Sequence, residues 1–83
     1  NSKGYVVQTG VFSRYTNVLS EINKLEKAYK QKAWISAFEI NGKTAFKVMV
    51  GPFSSKYGAE SFSRIFYQYE KREAIVKQLS NSK

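Results

Sequence analysis

Ala33-Trp34-Ile35-Ser36-Ala37-Phe38-Glu39-Ile40-Asn41-Gly42-Lys43-Thr44-Ala45-Phe46-Lys47-Val48-Met49-Val50 consists of two extended runs joined by Asn-Gly. Asn-Gly tolerates two successive residues at positive φ, so it closes a two-residue hairpin turn whose twist suits the flanking strands. With that turn, Ile40 pairs with Lys43, Phe38 with Ala45, Ser36 with Lys47 and Trp34 with Met49, all on one face. Ile35, Ala37, Phe46, Val48 and Val50 share the other. A lysine ammonium is far too costly to bury without a partner. Lys47 therefore assigns its own face to water, and Ile35, Phe46, Val48 and Val50 become core. Trp34, Phe38 and Met49 are carried outward with the lysine.

Upstream of the hairpin, Gly4 to Phe12 is rich in β-branched and aromatic residues and reads as a strand, with Gly10 marking a bulge or a close backbone approach. Thr16-Asn17 offers a helix cap. Val18, Leu19, Ile22, Leu25, Ala28 and Tyr29 then recur at three- and four-residue spacing, giving an amphipathic helix with one buried stripe. Downstream, Gly51-Pro52 is expected to end the third strand and Phe53 to tuck under. Ser54 or Ser55 caps a second helix, whose stripe is Ala59, Phe62, Ile65, Phe66 and Tyr69 and whose first turn Gly58 weakens. A charged link, Glu70 to Glu73, leads to a last strand within Ala74 to Leu79. The order is βαββαβ. Right-handed crossovers then give an α+β, ferredoxin-like fold: a four-stranded antiparallel sheet with two helices on one face and the first and third strands central. No internal boundary is visible, so residues 1–83 read as a single domain, with an ordered core from about residue 4 to residue 79, excised from a longer protein.

The chain has 83 residues, 14 Lys+Arg against 6 Asp+Glu, and a formal net charge of +8. Such a surface attracts polyanions of any kind. Lys24, Lys27, Lys30 and Lys32 gather at the outer face and end of the first helix, where they also complement its dipole. Cys and His are absent, which removes thiol nucleophiles, His-based dyads and zinc-finger spacing. The six carboxylates are dispersed, so the chain reads as a non-catalytic binding module without a cofactor or metal. There is no run of eighteen apolar residues and no cleavable signal pattern, so no direct membrane insertion is expected within this segment.

In this architecture the sheet face opposite the helices meets water, and apolar groups on it require a reason. Trp34, Phe38 and Met49 beside Ser36 and Lys47 form a shallow platform suited to a flat ligand with apolar faces and polar edges, a sugar or a nucleobase. Gln8, a long amide in the first strand between Val7 and Thr9, should point the same way with its donor and acceptor available. The competing structural reading folds Trp34 over the sheet edge, or covers the face with a neighbouring domain or a second copy.

Tyr5-Val6-Val7-Gln8-Thr9-Gly10-Val11-Phe12-Ser13 resembles the opening strand of SPOR (sporulation-related repeat) domains of bacterial cell-envelope proteins. Phe46-Lys47-Val48-Met49-Val50-Gly51-Pro52-Phe53-Ser54-Ser55, followed by Ala59-Glu60, resembles their third strand and second-helix start. The likeness runs from Tyr5 to about Leu79. It implies binding of peptidoglycan through the open sheet face, preferentially glycan strands from which amidases have removed the stem peptides, as at division septa. It also implies a periplasmic or envelope location. Carried over by position, the family's first-strand Gln falls on Gln8, its third-strand face positions on Ala45, Lys47 and Met49, and a last-strand position on Ile75. Val11 stands where many members have a small polar residue, and Ala45 where some have a large aromatic. Trp34 and Phe38 can supply the missing stacking surface, with Ser36 beside them. The expected state is a monomer.

Two rival readings remain. An RNA-binding module of the RRM type shares the strand order but wants K/R-G-F/Y-G/A-F-V-x-F/Y in its third strand. Lys43 to Val50 lacks that alternating aromatic pair, and no nucleic-acid partner is expected. The other rival is a protein–protein docking module of the envelope.

Overall fold

A computed structural model of the chain describes residues 4–79. The elements run β1 (Tyr5–Phe12), α1 (Tyr15–Lys27), β2 (Ala33–Ile40), β3 (Lys43–Phe53), α2 (Lys56–Glu70) and β4 (Ile75–Gln78). All strand pairs are antiparallel and the spatial order is β2-β3-β1-β4, so β1 and β3 are central. This is the ferredoxin-like α+β arrangement. Gly4 and Leu79 close the sheet at one end, where the Leu79 N–H donates to the Gly4 carbonyl at 2.8 Å.

The hairpin follows its sequence register throughout, from Ile40 opposite Lys43 to Trp34 opposite Met49. Asn41 and Gly42 both take positive φ, 52° and 78°, as the two-residue turn requires. The core lies on the other face. Val7, Val48 and Val50 of the sheet are fully buried against Val18 and Leu25 of α1 and Ala59, Phe62 and Phe66 of α2, with Ile35, Phe46, Phe53 and Val76 packed around them. Phe53 does tuck under, its ring centroid 5.7 Å from that of Phe62. The two helices pack side by side on the sheet, sharing one core through Val18 and Leu25 of α1 and Ala59, Phe62 and Phe66 of α2.

Several sequence expectations are corrected in detail. β3 does not stop at Gly51-Pro52 but continues to Phe53 through an irregularity opposite Val6, where Gly51 takes a φ of 138°. α1 begins at Tyr15, not behind Thr16-Asn17, and its N-cap is Arg14 with no side-chain cap bond. The Tyr15 ring sets this start by meeting Phe46 edge-on at 5.7 Å. Leu19 is exposed and Glu21 is buried in its place. In α2, Ser55 is the cap and accepts the Gly58 N–H at 3.0 Å, but Ile65 and Tyr69 leave the buried stripe and face outward.

Glu21 is buried because its charge is met there. β1 carries a bulge between Gln8 and Gly10, which takes the Thr9 carbonyl out of regular pairing. Arg72 supplies the donor, Nη1 reaching that carbonyl at 3.2 Å while Nη2 lies 2.9 Å from both carboxylate oxygens of Glu21. The Thr9 hydroxyl donates to Glu21 Oε2 at 2.9 Å, and the Arg72 guanidinium sits 5.0 Å from the Phe66 ring centroid. Gly10 makes the approach possible, since a Cβ there would meet the Phe12 ring at 3.0 Å and Arg72 Nη1 at 3.3 Å. Local strand irregularity is thus tied to a link between α2 and β4.

A second polar tie joins the end of α1 to the end of α2. Glu70 accepts from Lys24 Nζ and from the Tyr29 hydroxyl, both at 2.7 Å. The hydrogen bond from Lys24, then that from Tyr29, hold the Glu70 carboxyl below its ordinary range. Burial, then the bond to Glu70, push the Tyr29 hydroxyl up to about 12.

Two outcomes are expected. Arg72→Ala and Glu21→Ala should each lower unfolding free energy by about 2–4 kcal/mol, because each strands a buried polar partner. The double variant should lose clearly less than the sum, as urea titrations in a double-mutant cycle would read out. For Glu70, the folded value is depressed, so its contribution is complete above the unfolded value of 4.5 and is lost as pH falls through the lower folded value. The raised Tyr29 value works in the opposite direction: its contribution is complete below 10.0 and is lost as pH rises towards about 12. Thermal melts of Glu70→Gln should therefore show a shallower loss of stability below pH 4.5 than the parent chain does.

Candidate functional site on the open sheet face

Strand alternation and the ladder registers define the face away from the helices. One row crosses all four strands: Trp34 on β2 opposite Met49 on β3, Met49 opposite Gln8 on β1, and Gln8 opposite Ile75 on β4. At roughly 4.8 Å between strands, that row is about 14 Å long. A second row holds Ser36, Lys47 and Val11, and a third holds Phe38 and Ala45. The eight residues singled out from sequence, Gln8, Trp34, Ser36, Phe38, Ala45, Lys47, Met49 and Ile75, share this one face.

Exposure along the first row is uneven. Trp34 is 37% exposed at one end and Ile75 lies open at the other, while Met49 and Gln8 between them are only 8% and 9% exposed. The expectation that Gln8 keeps both amide groups free in solvent is corrected accordingly. On a central strand its side chain lies between the Met49 and Ile75 positions, and Oε1 is sealed from water without a hydrogen-bond partner. An unpaired buried acceptor of this kind costs about 1–3 kcal/mol. Lys47 is not a free cation above the platform either. Its Nζ lies 4.8 Å from the Phe38 ring centroid, a cation–π contact worth about 0.5–1 kcal/mol that holds charge and ring together.

Sequence reasoning left two lysines out. Lys43 shares this face through its pairing with Ile40, and Lys77 through its pairing with Val6. The ladder positions on this side therefore carry Lys43, Lys47 and Lys77 and no carboxylate. Lys43 was already fixed by the hairpin register. Lys77 stands two residues beyond Ile75 on β4, so strand alternation from the position assigned to Ile75 was the signal that could have found it. The face can attract an extended anion and stack an apolar surface against Trp34. Among the described residues no group of three or more His, Cys, Asp or Glu gathers as a metal site, and no helix is long and apolar enough to cross a membrane.

A model of the SPOR domain matches residues 1–64, from β1 into α2. The chain belongs to the SPOR domain family. No curated protein and no solved structure matches it. SPOR domains are peptidoglycan-binding modules of bacterial cell-envelope proteins and are generally non-catalytic. The matched part of this SPOR domain contains β1, β2 and β3, and so seven of the eight face residues. Ile75, on β4, lies beyond it.

The sealed acceptor makes a direct prediction. Gln8→Met keeps the length of the side chain and removes the unmet demand, so the variant should unfold at an equal or higher urea midpoint than the parent. A midpoint well below that of the parent would mean that the Gln8 amide holds the sheet together.

Proposed function

We propose that this SPOR domain binds peptidoglycan glycan strands lacking stem peptides, across the row from Trp34 to Ile75, without catalysing any reaction. The observation that carries the reading is the exposed Trp34 indole at the end of a row set on a face with lysines but no carboxylate. Each amino sugar of the glycan carries an acetamido group whose N–H and C=O suit the polar side chains that interrupt the apolar row. The C–H face of a sugar suits Trp34. Removal of a stem peptide leaves a carboxylate on the lactyl group of the muramic sugar, so a denuded strand bears one negative charge per disaccharide and is slimmer than the peptide-bearing form. Lys47, with Lys43 and Lys77, meets that charge, and Ser36 can bond hydroxyl groups.

Each contact is weak, so binding uses several consecutive sugars and weakens as salt rises. The domain acts as a single copy in the bacterial periplasm or envelope, concentrated where amidases work, at the division septum. The SPOR family match and the charge pattern of the face support this reading.

Retention on purified sacculi tests it. Amidase-treated sacculi should hold more protein than untreated ones, and salt should release it. Gln8→Ala, Trp34→Ala and Lys47→Glu should each weaken retention about tenfold, roughly 1.4 kcal/mol, with circular dichroism unchanged. Arg64→Ala on α2 should have no effect. Equal retention on both kinds of sacculi would remove the preference for denuded strands, and tight binding of single-stranded RNA at physiological salt without sacculus binding would overturn the whole reading.

A further inference from the structure

The helical side of the molecule carries a second feature. Beyond the tie between Lys24 and Glu70, the space between the end of α1 and the outer side of α2 is a groove of about 670 Å³ whose walls include Tyr29, Phe53, Phe62, Ile65, Tyr69 and Glu70. Ile65 and Tyr69 belong to the periodic apolar stripe of α2 but stand 46% and 71% exposed on this groove instead of entering the core. Their exposure is not forced by a lack of core contacts elsewhere, because Ala59, Phe62 and Phe66 already seat the helix. An isoleucine and a tyrosine side by side in water are a standing cost.

The electrostatics of the rim select the occupant. Lys27 and Lys30 are exposed immediately beside the wall residues Ala28, Tyr29 and Gln31, and neither forms an ion pair among the described residues. Glu70, the one carboxylate of the walls, is already engaged by Lys24 and by the Tyr29 hydroxyl. Glu26, also exposed, precedes Lys27, but residues 24–32 carry four lysines against that one carboxylate, so the rim is net cationic above an aromatic floor. These lysines lie on the helical side, away from the face assigned to glycan, so that reading makes no use of them.

We propose that the groove between α1 and α2 is a protein-docking site for an acidic peptide segment, which places bulky apolar side chains against Ile65, Tyr69 and Phe62 and its carboxylates beside Lys27 and Lys30. One small domain then carries two independent surfaces: the sheet face for glycan and the helix groove for a protein partner.

Selection of a random peptide phage library on the immobilised domain, with Ile65→Glu as counter-selection, tests this. Enriched peptides should combine Asp or Glu with Phe, Trp, Leu or Ile. Synthetic copies should lose at least tenfold in affinity for Ile65→Glu and for the Lys27→Glu, Lys30→Glu double variant, while both variants keep parental circular dichroism and sacculus retention. Tyr69→Ala, a truncation at an exposed position, provides a second variant should Ile65→Glu fail to fold. No enrichment, enrichment of peptides without acidic residues, or peptides that bind the variants equally well would overturn the proposal. So would concentration-dependent dimerisation that Tyr69→Ala abolishes, which would make a second copy of the chain the occupant. Loss of sacculus retention in Gln8→Ala with peptide binding intact leaves the groove standing whatever becomes of the glycan reading.

Discussion

An ammonium group withdrawn from water without a partner costs more than any single contact in a domain of this size returns. Lys47 occupies the middle of a central strand, and the side to which it points decides the side to which Val48 and Val50 must point. The hairpin register transmits that choice to β2, so Ile35 goes inward and Trp34, Ser36 and Phe38 go outward. From β3 the same choice passes to β1, where Met49 stands opposite Gln8. The helices then have only one apolar sheet surface on which to settle.

A second constraint acts where β1 departs from regular pairing. The bulge at Thr9 and Gly10 frees a carbonyl, and Arg72 reaches it with its long side chain from the link that follows α2. Because Arg72 also holds Glu21, a charged residue occupies a position on α1 where helical pattern alone would place an apolar one. The node joins β1, α1 and the α2–β4 link through a few side chains.

How much of this was legible follows from the range of the forces involved. Hairpin register, strand order and the outward path of Trp34 depend on neighbours close in sequence and on one steep energetic penalty, and they can be read from residues 33–50 and the periodicity around them. The burial of Glu21 could not be, since its partner lies 51 positions away. Nor could the exposure of Ile65 and Tyr69, since helical period alone does not say how much of the apolar stripe of α2 the core covers. On the open face, position was legible but accessibility was not. Gln8 points where alternation sends it, yet its amide oxygen is sealed, because the flanking strands rather than its own decide how deeply a central residue sits.

The hydrogen bond between Gly4 and Leu79 brings the beginning of β1 beside the end of β4, with the two strands antiparallel. Tension applied between those two points runs across the strands, parallel to the bonds that join them, so it opens the pair one rung at a time, in the manner of a zip. Four rungs of β4 would part in sequence while β1, β2 and β3 stayed joined. Ile75, the far end of the row on the open face, sits on the rung that would release last.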